Sequence, residues 1–192
     1  MSPRTPEQFE EIRESRKTLI LDSALELFAN EGFYKTSISD IAEKAGISKG
    51  LIYNYFESKE ALIRTIAFNG IDNLLKNFDP NSDNILTKEE LQYFIEQNFM
   101  ILQKNIHFWK LYFGIIVQPQ VLKLVEKELM RLFIPSYKML ENYFKYQGKK
   151  NPAAEARFFG AMIEGVYMNY VMDPKKFPIK DVEQKIINLY IS

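Results

Sequence analysis

Residues 36–62 read TSISDIAEKAGISKGLIYNYFESKEAL. Ser37 stands three residues before Asp40, a Ser-x-x-acid capping pattern, and Ile38, Ile41, Ala42 and Ala45 then recur at helical spacing. This predicts one short amphipathic helix. It stops at Gly46, which takes the left-handed conformation without steric cost, and Ser48 can cap a second helix running from Lys49 through Phe56. The turn between them is about three residues long. Two short helices joined so tightly, with alanines at the crossing, make a helix-turn-helix whose second helix lies in the DNA major groove.

The pattern continues upstream and a little beyond. Arg16, the Ile20/Ala24/Leu27/Phe28 stripe, Gly32-Phe33, Thr36-Ser37, Ile41-Ala42, Ala45-Gly46-Ile47-Ser48, Tyr53, Phe56, Lys59-Glu60 and Leu62 form one punctuated series. On these positions residues 16–62 resemble the DNA-binding region of the TetR family of bacterial transcriptional repressors. The resemblance implies an all-α fold: an N-terminal three-helix helix-turn-helix domain over residues 1–62, a linking helix from 59 to 78, and a C-terminal helical bundle over 79–192 for ligand binding and dimerisation. It also implies roles. Lys49, Gly50, Leu51 and Asn54 would read base edges, with Ser39 a lesser candidate; lysine donates to guanine and asparagine pairs with adenine. Ser37, Ser48, Tyr53, Tyr55 and Lys59 match positions that hold phosphates through hydroxyls, an ammonium group and a helix N-terminus. Tyr53 serves equally well as a packing ring, and Tyr55 stands where the family often has histidine.

Composition narrows the class without naming it. The hydrophobic content of 46% is that of a soluble globular chain with a sizeable core. The absence of cysteine removes disulfides, zinc–thiolate sites and thiol nucleophiles together, and suits a reducing cytoplasm. The start, MSPRTPEQFEEIRESRK, lacks the apolar run of a signal peptide, and no stretch reaches membrane-spanning length, so a cytoplasmic protein is expected. Up to residue 60, eleven acidic residues outnumber eight basic ones. Phosphate binding needs local positive charge rather than a basic average, so modest non-specific DNA affinity follows.

Beyond the linking helix, FDPNSDNILTKEEL has two readings. Asp79, Asn81, Asp83, Thr87 and Glu90 fall at the ligand positions of a calcium-binding loop, with apolar Leu86 between them, but Asn84 replaces its glycine. The same residues also read as a polar turn followed by a Thr87-x-x-Glu90 capping box. From Lys88 onward the spacing predicts helices only: 88–104, 105–118, about 120–146 with a kink or break near Pro135, about 152–172, and 178–190. The 152–172 helix carries two apolar stripes, which suggests burial against both its own domain and a partner. Phe159, Ile163, Val166 and Tyr170, with Val182, Ile186 and Leu189 of the last helix, are the expected contacts of a homodimeric four-helix bundle. Phe94, Gln97, Trp109, Phe113, Tyr137, Met162, Glu164 and Tyr167 are candidates to line an effector cavity. Each ring is also explained as plain core, and Glu164 by structural hydrogen bonding.

Catalysis is poorly supplied: there is no thiol, one histidine, no Gly-rich phosphate loop and no histidine–carboxylate metal pair at helical spacing. The expectation is a dimeric, ligand-responsive repressor of a palindromic operator, released by a small apolar or aromatic effector, without a metal or other cofactor. The alternative is a helical small-molecule-binding protein, or a regulator with a calcium-sensitive loop at 79–90.

Overall fold

The computed structural model describes residues 5–191, and among them the chain is helical throughout its regular elements: α1 (Pro6–Glu31), α2 (Ile38–Lys44), α3 (Lys49–Tyr53), α4 (Lys59–Leu75), α5 (Lys88–Lys104), α6 (Ile106–Ile116), α7 (Pro119–Tyr146), α8 (Pro152–Met172) and α9 (Ile179–Ile191). The described residues start at Thr5. Within them α1 begins sharply: Thr5 Oγ1 accepts from the Gln8 amide, Gln8 Oε1 accepts from the Thr5 amide, and Pro6 takes the first helical position.

The chain divides into two compact units. The first comprises the residues up to Phe68 together with 114–125, so a segment of the expected C-terminal domain clusters with the N-terminal one. Its core is built from one face of each helix: Ile20, Ala24, Leu25 and Phe28 of α1, Ile41 and Ala42 of α2, Ile52 of α3, and Leu62, Ile63 and Ile66 of α4. Leu25 rather than Leu27 is fully inside, because Leu27 sits on the edge of the stripe and stays half-exposed. Burying one such side chain contributes about 1.5–3 kcal/mol, so this small unit is held chiefly by apolar contact.

The second unit, 69–113 with 126–191, is rich in packed rings. Phe144, Phe159 and Tyr190 meet with centroids 5.1–6.4 Å apart, and Tyr143 Oη donates to the Tyr190 carbonyl at 3.1 Å. This ties α7, α8 and α9 together. Phe78 packs edge-on against Phe94, and α5 lies directly against α9. Contrary to the expected break, α7 continues through Pro135. Proline there removes one amide donor from the ladder, and because Arg131 and Pro135 lie on the solvent side, water can serve the freed carbonyl.

Gly70 marks the closest approach in this unit. A Cβ at this position would press into the ring of Tyr112, which is fully buried and cannot swing aside. Gly70→Ala should therefore destabilise the protein by about 1–3 kcal/mol despite alanine's better helix propensity. Gly114→Ala, where a Cβ meets nothing within 4 Å, should stabilise by about 0.5–1 kcal/mol. Thermal or urea denaturation of the two variants tests the pair of signs.

Candidate functional site

The two short helices α2 and α3 are set by local chemistry. Ser37 Oγ accepts from the Asp40 amide at 3.2 Å and Asp40 Oδ2 accepts from the Ser37 amide at 2.7 Å, closing a capping box. The Ser37 backbone bond, then its hydroxyl, hold the Asp40 carboxyl below its usual range. That stabilisation is present above the ordinary carboxylate pKa and is lost as pH falls through the lowered one. At the other end Gly46 adopts φ 64°, which lets the Ile47 amide reach back to the Ala42 carbonyl at 3.0 Å and reverses the chain. Ser48 Oγ then accepts from the Leu51 amide at 3.2 Å and starts α3. A Lys44–Glu26 ion pair at 3.0 Å links α2 to α1.

Burial sorts the residues of α3 by role. Ile52 and Phe56 are inside, whereas Lys49, Gly50, Tyr53 and Asn54 are exposed and Leu51 and Tyr55 are half-buried. Ser37, Ser39 and Ser48 are exposed at the helix starts. A hydroxyl that accepts from an amide still has its own proton to donate, so capping does not remove Ser37 or Ser48 from anion binding. A Cβ on Gly50 would meet nothing, so its backbone lies open to a close neighbour. Sequence reasoning passed over Tyr34, which is 73% exposed beside exposed Lys35, just before α2. Its signal was an aromatic outside the α1 stripe.

Lys59 corrects an expectation. Its Nζ donates to the carbonyls of Phe33 at 2.8 Å, Thr36 at 2.9 Å and Tyr34 at 3.5 Å, and sits 4.6 Å from the Phe33 ring centroid. An ammonium group has three protons, and all three are directed at backbone, so Lys59 is a brace and not a phosphate ligand in this structure. Thr36, itself buried, reinforces the turn by donating to the Gly32 carbonyl at 3.0 Å.

In the second unit the effector candidates separate. Trp109 is buried, donates through Nε1 to the Ile101 carbonyl, and packs against half-buried Phe113. Phe94 is buried beside Phe78, while Gln97 and Met162 are half-buried. Glu164, for which a pocket role and structural hydrogen bonding were both open, lies at the surface. It is exposed on the α8 face that carries Arg157, whose guanidinium lies 4.1 Å from the centroid of the Tyr137 ring. Desolvation by the neighbouring helices still raises the Glu164 carboxyl, and the Arg157 charge opposes this. Tyr137 also packs its hydroxyl end over Gly160. Tyr167 is buried with its ring 6.0 Å from Phe99 and its hydroxyl without a hydrogen-bond partner. Asn98 of α5 is also fully buried. Its Nδ2 donates to the Leu74 and Phe94 carbonyls at 3.0 and 2.9 Å, while its Oδ1 has no partner. A polar residue at a core position of an otherwise apolar stripe was the available signal.

The expected dimer contacts need a second correction. Phe159, Ile163, Tyr170 and Ile186 are 2%, 6%, 8% and 3% exposed within their own chain, leaving almost no area for a partner. Val166 and Val182 are half-buried. Apolar area on α8 and α9 is offered instead by Leu189, as expected, and by Phe158 and Met172.

In the 79–90 loop the carboxylates turn onto the loop itself. Asp79 accepts from the amides of Asp83 and Asn84, Asp83 from that of Ile85, and Glu90 from the amide and hydroxyl of Thr87. Asn84 reaches φ 63°, a conformation asparagine tolerates, so it fills the place of glycine. The arrangement is a polar turn and a capped α5. Among the described residues no group of three or more His, Cys, Asp or Glu is placed to hold a metal ion.

The brace gives a direct test. Lys59→Met should lower stability by about 1–3 kcal/mol, the range for hydrogen bonds to a charged group, and leave the salt dependence of DNA binding unchanged. A salt slope reduced by about one would restore the phosphate role.

Comparison with known proteins agrees with this geometry. Residues 20–66 match the model of the bacterial regulatory proteins, tetR family. The HTH-type transcriptional regulator YfiR of Bacillus subtilis (strain 168) is 33% identical over 79 residues, 41% of this chain and 38% of that protein. The chain thus spans less than half the length of this relative. The fatty acid metabolism regulator protein of the same organism is 22% identical over 180 residues, 90% of this chain and 92% of its own. A crystal structure of the transcriptional regulator FadR from Bacillus subtilis, in complex with stearoyl-CoA, superposes with a TM-score of 0.72 at 19% identity, covering 91% of this chain and 97% of that one. That likeness shows a shared all-helical fold. No helix among the described residues is long and apolar enough to cross a membrane. With its capped helix pair, apolar helical core and helical second unit, the chain carries at residues 20–66 the domain of the tetR family of bacterial regulatory proteins, and the relatives it resembles are transcriptional regulators and not enzymes.

Proposed function

We propose that the protein is a homodimeric, ligand-responsive repressor that binds a palindromic DNA operator through α2 and α3 and lets go when a small apolar or aromatic molecule enters the second unit. The observation that carries this reading is the division of α3: Ile52 and Phe56 anchor it from beneath while Lys49, Gly50, Tyr53 and Asn54 are left for a partner. Lys49 and Asn54 have the donors and acceptors to read base edges, and Gly50 permits backbone approach. Ser37, Ser48, Tyr53 and Tyr55 contact phosphates in this reading, with Ser39 at the margin, and exposed Tyr34 and Lys35 extend the surface.

Pairing uses the exposed apolar side chains of α8 and α9, Phe158, Met172 and Leu189, with Val166 and Val182 at their edges. Two copies present two recognition helices, which is why the operator is an inverted repeat. The aromatic interior of the second unit and the similarity to regulators of fatty acid metabolism support an effector with a long apolar body. Release of DNA is the expected response.

Selection of bound sequences from random duplex DNA tests the reading: recovery of an inverted repeat supports it, and binding that stays sequence-blind at moderate salt ends it. Lys49→Ala should relax preference at one base position per half-site by about 1–3 kcal/mol. Gly50→Ala should leave the fold intact and weaken operator binding, because the added methyl group stands only in the way of DNA.

A further inference from the structure

Where α5 lies against α9 an open groove of 490 Å³ is lined by Glu96, Met100, Gln103 and Lys104 of α5 and Glu183 of α9. Small-molecule sites occupy roughly 300–1,000 Å³, so the space suffices for one. Two carboxylates share it. Burial, then the charge of Glu96, raises the Glu183 carboxyl, and Lys180 opposes this only in part. Like charges held side by side repel unless a cation joins them. Among the described residues neither carboxylate has an ion pair, and one oxygen of Glu96 accepts from Gln92 Nε2 at 2.7 Å.

Tyr167 of α8 meets the pair from beneath. It is 3% exposed and its hydroxyl has no hydrogen-bond partner. Its ring packs on Phe99, next to Met100 in α5, and after burial itself the Glu183 carboxylate is what raises its hydroxyl. The hydroxyl end is thus turned toward Glu183, under the groove. An unpartnered oxygen and two uncompensated carboxylates together require a donor that is positively charged.

The rest of the lining restricts what carries that donor. Met100, 55% exposed, offers a thioether, a soft surface suited to an aromatic body. Lys104 lines the groove and Lys180 acts on Glu183, so a second positive charge on the ligand would be repelled. Two carboxylates beside a thioether fall short of the six or more oxygens a hard metal cation takes. A primary ammonium group has three protons to divide among Glu96, Glu183 and Tyr167, whereas a quaternary one has none. We infer that the α5–α9 groove binds a primary monoamine with a compact apolar body, its ammonium group held between Glu96 and Glu183 over the Tyr167 hydroxyl. This site does not depend on the operator or effector reading given above.

Four probes with one body isolate the head group: phenethylamine, its N,N,N-trimethyl derivative, phenethyl alcohol and hydrocinnamate, each titrated calorimetrically into the full chain. Phenethylamine should bind with a sub-millimolar dissociation constant, roughly tenfold or more tighter than the other three, the value of one hydrogen bond to a charged group. Glu96→Gln and Glu183→Gln each remove one of two like charges, so both variants should fold at least as stably as the parent and lose roughly tenfold in amine affinity. Tyr167→Phe, which keeps the ring and removes only an unpartnered hydroxyl, should lose roughly fivefold. Glu126→Gln, at an exposed carboxylate of α7 outside the groove, should change nothing. Absence of phenethylamine binding at millimolar concentration overturns the inference, as does equal binding by the quaternary ion, the alcohol or the acid. An affinity unchanged in Glu96→Gln, Glu183→Gln or Tyr167→Phe overturns it too, and so does a loss in Glu126→Gln as large as that in Glu183→Gln, the attraction then being non-specific. Calcium chloride is the last arm: calcium that binds more tightly than the amine and displaces it makes the carboxylates a metal site and refutes the amine.

Discussion

One ammonium group ties the turn before the helix pair to the helix that follows it. Lys59 opens α4, where a positive charge works against the helix dipole, and it is held there by three carbonyls of the turn that joins α1 to α2. Those carbonyls lie outside the helical ladder and need donors from elsewhere. The brace therefore fixes the turn, the start of α2 and the start of α4 as one body. With Ile52 and Phe56 seated in the same core, α3 has little freedom to tilt independently of α4.

The second unit follows a different principle. Its packing is dominated by rings, from Phe78 and Phe94 through Trp109 and Tyr112 to Phe144, Phe159 and Tyr190, and each buries a large apolar area in a defined edge or tilted contact. Asn98 and Tyr167 depart from this economy of apolar contact. The Asn98 amide serves the Leu74 and Phe94 carbonyls, while its oxygen and the Tyr167 hydroxyl stand without a partner among closely packed rings.

Much of the head was legible from its residues. The Ser37–Asp40 box, the Gly46 reversal and the Ser48 cap are contacts between near neighbours in the chain, so short sequence patterns specify them and the structure repeats them. The same holds for the Thr87–Glu90 cap of α5. Burial of Ile52 and exposure of Lys49 and Asn54 followed from helical periodicity, which is also a local property.

Sequence by itself thus determined the all-helical class and the helix pair at 38–53, because caps, turns and apolar spacing act over a few residues. Tertiary structure alone decided where long side chains end. It turned Lys59 from DNA toward three carbonyls, set Glu164 on the surface, drew Phe159, Ile163, Tyr170 and Ile186 into their own core, and carried α7 past Pro135. In each case the deciding neighbour is distant in sequence or is solvent. A helical stripe names a face; only packed neighbours say what that face meets.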